Sequence, residues 1–178
     1  MFGKKDLKFN SRRLILDAVL VALYVVFAML LSFKTPWFEV SLSSVPILLS
    51  AYIFGLKDAL VIALFGSFIE QMLSFGLTLT TPLWILPFVI QALFAALCFK
   101  LAKKRAVGFV LAVVFSELVL TVLNTAALYA DGYIMHYAVK ALHLIAPVRL
   151  INGAVRAVIS CIILPLIAPP LLKITERK

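Results

Sequence analysis

The sequence predicts an all-α, polytopic membrane protein: one domain over residues 1–178, with six transmembrane helices and both termini in the cytoplasm. Three observations predict it. Hydrophobic residues make up 64% of the 178, and mean hydropathy is +1.12, whereas an average soluble domain is roughly 45–50% apolar. The apolar residues gather into runs, and the chain has room for five or six segments of the about 20 residues that a helix needs to cross hydrocarbon. The positive residues stand at the ends of those runs, as membrane topology requires. For that reason the net charge of +9 is read as orientation in a lipid bilayer and not as a nucleic-acid surface.

Taken in order, residues 1–13 are a basic tail carrying Lys4, Lys5, Lys8, Arg12 and Arg13. The first helix is expected over 14–33. It is longer than the apolar region of a signal peptide, and FKTP at 33–36 is a poor small-residue cleavage site, so the helix is read as retained. Residues 34–44, KTPWFEVSLSS, form a loop punctuated by Pro36. A short second helix over 45–54 leads through a tight turn at 55–58 into a third over 59–75. GLTLTTP at 76–82 reads as a loop. The fourth helix covers 83–101, with a kink expected at Pro87. After the basic residues Lys103, Lys104 and Arg105, the fifth covers 107–129. Residues 130–146 mix Asp131, His136, Lys140 and His143 with apolar groups and read as a loop or interfacial segment. The sixth covers 147–167, closed by Pro165, Pro169 and Pro170 before a cytoplasmic tail at 171–178.

Thirteen of the 17 Lys and Arg fall on the side of the two termini, and the opposite loops hold only Lys34 and Lys140. The positive-inside rule therefore orients both termini to the cytoplasm. Loops 34–44, 76–82 and 130–146 then face outward with Trp37, Phe38, Thr78, Thr80, Thr81, Tyr133 and His136, placed to close over an entering solute. Trp37 and Trp84 fit an interfacial aromatic belt equally well.

Polar groups inside the apolar runs carry the functional signal. PVRLINGAVR at 147–156 puts Arg149, Asn152, Gly153 and Arg156 on one helical stripe. An arginine in a membrane helix costs about 2.5 kcal/mol at the least on insertion scales, so the stripe faces a partner or a ligand rather than lipid. Glu117 comes to the depth of Arg156 on the neighbouring helix, and the pair reads first as a structural ion pair. Glu70 and Gln71 lie level with Arg149 and Asn152, and Asn124 lies about two turns outward of Glu117. Gln91 serves either an interhelical hydrogen bond or a ligand. Asp17, near the cytoplasmic end of the first helix, is given no ligand role.

The outer-half set of Glu70, Gln71, Asn124, Arg149 and Asn152 suits a ligand with a donor-rich planar end and a carboxylate. Arg149 can grip the carboxylate bidentately. Glu70 can pair with adjacent N–H groups of a pterin-like ring. A Glu70–Arg149 salt bridge without ligand is the alternative that the residues leave open.

Several chemistries find no support. The chain has no Walker A sequence, no HExxH and no GxSxG, and neither histidine has a matching nucleophile or metal set. No enzyme, metal or cofactor is expected. Cys98 and Cys161 lie in apolar segments without His or carboxylate neighbours and read as core filler. Small residues four apart, such as Ala18 and Ala22, allow close helix packing.

The chain resembles the substrate-binding (S) components of energy-coupling factor (ECF) vitamin transporters, and is most similar to their folate branch. The resemblance spans nearly all 178 residues. It rests on size, six helices, VPILLSAYIFGLKDALVIALFGSFIEQML at 45–73, LNTAALY at 123–129 and PVRLING at 147–153. It implies a bacterial plasma-membrane subunit that captures a vitamin outside and releases it inward. It further implies a transmembrane coupling protein docked at Ala18 and Ala22, two cytosolic ATPases, and a binding subunit that tips in the membrane. Pantothenate and other vitamin branches share this layout. A ligand-free assembly subunit is the reading from another class.

Overall fold

A computed structural model of the chain describes residues 11–34, 39–102, 106–136 and 142–176. Among these the helices are α1 (Ser11–Leu30), α2 (Ser44–Ile53), α3 (Leu56–Phe75), α4 (Thr81–Leu101), α5 (Ala106–Ile134) and α6 (Leu142–Glu176). Five are long and apolar enough to cross a membrane, and α2, with 10 residues, is the short one. α1, α3, α4, α5 and α6 pack each against the next, and α2 fills the space between α1, α3, α4 and α6.

α2 is the core of the bundle. Every residue from Ser44 to Ala51 is buried, as expected of a helix that is apolar all round. The outer helices bury one stripe and turn large apolar side chains outward. On α1 the buried stripe is Asp17, Leu20, Tyr24 and Ala28, while Leu14, Ile15, Val19 and Leu30 are exposed. Such a surface suits lipid, and closed helices are what lipid demands, since backbone groups find no water there.

The structure departs from the sequence reading at several boundaries. α1 ends at Leu30 rather than at Phe33, and Phe33 joins Lys34, Glu39 and Val40 of the expected 34–44 loop in a two-stranded antiparallel ribbon: β1 (Phe33–Lys34) and β2 (Glu39–Val40), pairing Phe33 with Val40 and Lys34 with Glu39. α4 starts at Thr81 with Pro82 in its first turn, where a proline's missing N–H has no helical partner to lose. α5 continues to Ile134 and α6 begins at Leu142, so residues 130–134 and 142–146 of the stretch read as a loop or interfacial segment are helix. α6 also runs through Pro147, Pro165, Pro169 and Pro170 to Glu176, so residues 171–176 of the expected tail are helix. Prolines are tolerated in membrane helices because neighbouring groups and local adjustment re-satisfy the freed carbonyls. At 1.5 Å per residue, α5 and α6 are about 44 and 53 Å long, more than the about 30 Å of hydrocarbon.

Candidate functional site

The short α2 creates the site. Ten residues rise only about 15 Å, half the depth of the apolar layer. The far end of α2 is pinned at the level of the α1 and α3 N-termini. There Arg13 pairs with Asp58 and donates to the Phe54 carbonyl at 3.3 Å. α2 therefore starts at mid-depth, and the space above its N-terminus is a cavity of about 560 Å³. Ser41 and Ser43, which lead into α2, line its floor.

The walls come from four helices, α3 to α6. α3 supplies Glu70, Gln71 and Phe75; α4 supplies Trp84 and Phe88, one turn apart. Thr121, Asn124 and Asp131 come from α5, with Met135 just past its end. α6 supplies Arg149, Asn152 and Arg156 at spacings of three and four. Thr78 and Thr80 stand at the rim. Gly76 ends α3 with φ of +74°, a conformation open chiefly to glycine, and the chain turns back across the opening. The rim is tied by threonines: the Thr78 N–H donates to Thr81 Oγ1 at 2.9 Å, and the Thr78 hydroxyl lies 3.2 Å from those of Thr80 and Thr81.

Two of the charged wall residues are held from behind. Glu70 Oε2 accepts a hydrogen bond from the Tyr24 hydroxyl at 2.9 Å. Tyr24 reaches it because α3 has glycine one turn below: a Cβ on Gly66 would lie 2.7 Å from the Tyr24 ring. Arg156 Nε lies 3.3 Å from Glu117 Oε2, and its Nη2 donates to Thr121 Oγ1 at 2.9 Å. Gln91 Nε2 donates to the other Glu117 oxygen at 3.4 Å. Gln91 and Glu117 are 0% and 1% exposed, so these two lie behind the wall, while Arg156 and Thr121 line the cavity. Asn124 lines the wall, and its Oδ1 is buried with no hydrogen-bond partner among the described residues.

A family model described as ECF transporter, substrate-specific component, matches residues 12–168. The chain belongs to that family. A solved structure of the S component of a bacterial ECF transporter superposes with a TM-score of 0.68 at 22% identity, covering 94% of this chain and 99% of the other. That likeness is one of fold. A comparison with curated proteins finds no match. As an S component the chain is an integral membrane subunit that binds a transport substrate, and it is not an enzyme.

Of the residues singled out in the S component's sequence, Glu70, Gln71, Asn124, Arg149, Asn152, Arg156 and Trp84 meet at this one cavity. Gln91 does not: the structure places it behind the wall, against Glu117. Trp37 lies outside the described residues. Ala18 and Ala22 are exposed on the outer face of α1 and do not line the cavity. Sequence reasoning missed Thr121, although it completes the stripe from Glu117 to Asn124 at helical spacing. It also missed Phe88, four residues after Trp84. Asp131, expected in a loop or interfacial segment, stands on the last turns of α5. Nothing in the sequence signals Tyr24, Ser41 or Ser43.

Proposed function

We propose that this S component captures a vitamin, folate ahead of pantothenate, from outside the cell and releases it inward. The cavity carries the reading. It lies within the 300–1,000 Å³ or so typical of small-molecule sites, and it sets a carboxylate, amides, guanidinium groups and aromatic faces around one space. In this reading Glu70 takes the adjacent N–H groups of the pterin ring, Arg149 takes a carboxylate, and Trp84 stacks. Gln71, Asn124 and Asn152 complete the polar contacts, and Arg156 lends positive potential from the floor. A ligand-free assembly subunit would be expected to fill this volume with side chains.

The cavity opens at the end of the bundle opposite Arg13 and Asp58, and the basic tail precedes Arg13. With both termini cytoplasmic, that end faces outward. Release would then use an ECF coupling protein docked at Ala18 and Ala22 and two cytosolic ATPases. No nucleic acid and no cofactor enter the scheme.

Titration of the purified protein tests it. Folate should bind more tightly than pantothenate or riboflavin. Arg149→Ala should weaken it by at least about tenfold, because a buried charged contact is worth about 2–5 kcal/mol. Folate binding no tighter than that of the other two vitamins overturns the ligand assignment.

A further inference from the structure

We propose that Tyr24 is a positioning residue for the substrate: its hydroxyl fixes the Glu70 carboxylate in the orientation that receives the substrate's donor-bearing end. The inference rests on the reading of Glu70 as a ligand contact and adds a residue that does not itself line the cavity. Three observations carry it.

The first is the hydrogen bond. Tyr24 Oη donates to Glu70 Oε2 at 2.9 Å, across 46 residues of sequence and between buried groups. A carboxylate on a flexible stem loses rotamer freedom when it binds a ligand. A donor already holding one oxygen fixes the plane of the carboxylate beforehand, which raises affinity by lowering the ordering term. Hydrogen bonds to ionised groups are also the stronger ones, by roughly a factor of two.

The second is that the Tyr24 ring is itself fixed. It is 0% exposed. It fills the notch at Gly66, where even a methyl group would fall 2.7 Å from the ring. It also meets Phe88 edge-on, with centroids 5.6 Å apart and planes at 84°. A ring so confined fixes where its hydroxyl oxygen sits.

The third is what the ring touches. Glu70 and Phe88 both line the cavity, from α3 and α4 respectively. Tyr24 is thus a single off-cavity group on α1 that braces one polar and one aromatic part of the wall. Matching depth makes this feasible: Tyr24 is 13 residues into α1 and Glu70 is 14 into α3, and both helices start at the level of the Arg13–Asp58 pair.

The test uses full-length protein in detergent and the isosteric variants Tyr24→Phe, Glu70→Gln and the double variant. Tyr24→Phe keeps the ring and removes only the hydroxyl, and thermal unfolding verifies that each variant folds. Infrared difference spectra of the ligand-free protein, wild type against Glu70→Gln, identify the Glu70 carboxylate band. Tyr24→Phe should shift that band, which a ring serving only as packing would not do. Folate affinity should fall about tenfold in Tyr24→Phe, and the double variant should bind no more weakly than Glu70→Gln alone. An unshifted band, wild-type folate affinity in Tyr24→Phe, or losses that simply add overturns the inference. Failure of the wild type to bind folate strikes the ligand assignment instead, while the infrared comparison still decides whether Tyr24 holds Glu70.

Discussion

Thr121 Oγ1 accepts a hydrogen bond from Arg156 Nη2 at 2.9 Å and donates its own proton to the Glu117 carbonyl at 2.8 Å. The hydroxyl thereby gives one N–H group of the Arg156 guanidinium a partner at the cavity wall. It can do so because α6 presents Gly153 opposite it. A Cβ built on Gly153 would collide with Thr121 Oγ1, so the close approach of α5 and α6 and the seating of Arg156 depend on the same missing methyl group. Small residues at helix contacts serve this purpose widely in membranes.

Gly153→Ala should therefore be destabilising despite the higher helix propensity of alanine. Overpacking of this kind costs about 1–3 kcal/mol. Thermal unfolding in detergent should show a lower midpoint, and adding Thr121→Ala should restore part of it by vacating the contested space. If Gly153→Ala unfolds at the wild-type temperature, the helices have a slack that this geometry denies.

The pair beneath the cavity leads to a second expectation. Glu117→Ala removes the carboxylate 3.3 Å from Arg156 Nε and leaves a buried guanidinium without its counter-charge. Breaking a buried pair from one side costs about 3–5 kcal/mol, whereas replacing both partners by apolar residues of similar volume is often neutral. Glu117→Ala should sharply reduce folded yield, and Glu117→Leu with Arg156→Met should recover most of it. The recovered protein should still bind folate more weakly than wild type, since Arg156 also lines the floor.

The contrast between α6 and α1 explains what could be read from sequence. Arg149, Asn152 and Arg156 stand out because charge in an apolar run has so few explanations, and helical spacing alone puts them on one face. Tyr24 is invisible by the same standard. A tyrosine in an apolar helix is unexceptional, and its partner is 46 positions away. The floor was hidden for a different reason. Pro46 in its first turn and Gly55 just past its end mark α2, but nothing local says that Ser41 and Ser43 ride down into the bundle on it. The end of α5 failed on composition: ADGYI at 130–134 has the polarity of a loop. α5 is longer than the apolar layer is thick, so its last turns need not be apolar to be helical.

Gln91 separates structural from ligand-facing polarity. It has no place on the cavity wall and donates to Glu117 Oε1. Gln91→Leu should lower the unfolding midpoint, because it strips a buried acceptor of its donor at a penalty of about 1–3 kcal/mol. Its loss of folate affinity should be smaller than that of Arg149→Ala measured side by side. An affinity loss as large as that of Arg149→Ala would mean that Gln91 reaches the ligand, which its present contacts do not allow.

The outer face of α1 is the place to separate binding from transport. Ala18 and Ala22 are exposed one turn apart, on the side of the helix away from buried Leu20 and Tyr24. Small side chains at that spacing let another helix approach closely, and larger ones hold it off. Ala18→Leu with Ala22→Leu adds apolar bulk to a surface that already meets lipid, so the isolated subunit should fold and bind folate as the wild type does. Co-purification with the coupling protein and ATPases should be lost, and with it folate uptake by cells or proteoliposomes. Retained co-purification would move the docking surface to another helix. Loss of folate binding in the isolated double variant would instead show that the outer face of α1 is felt at the cavity, along the path that Tyr24 provides.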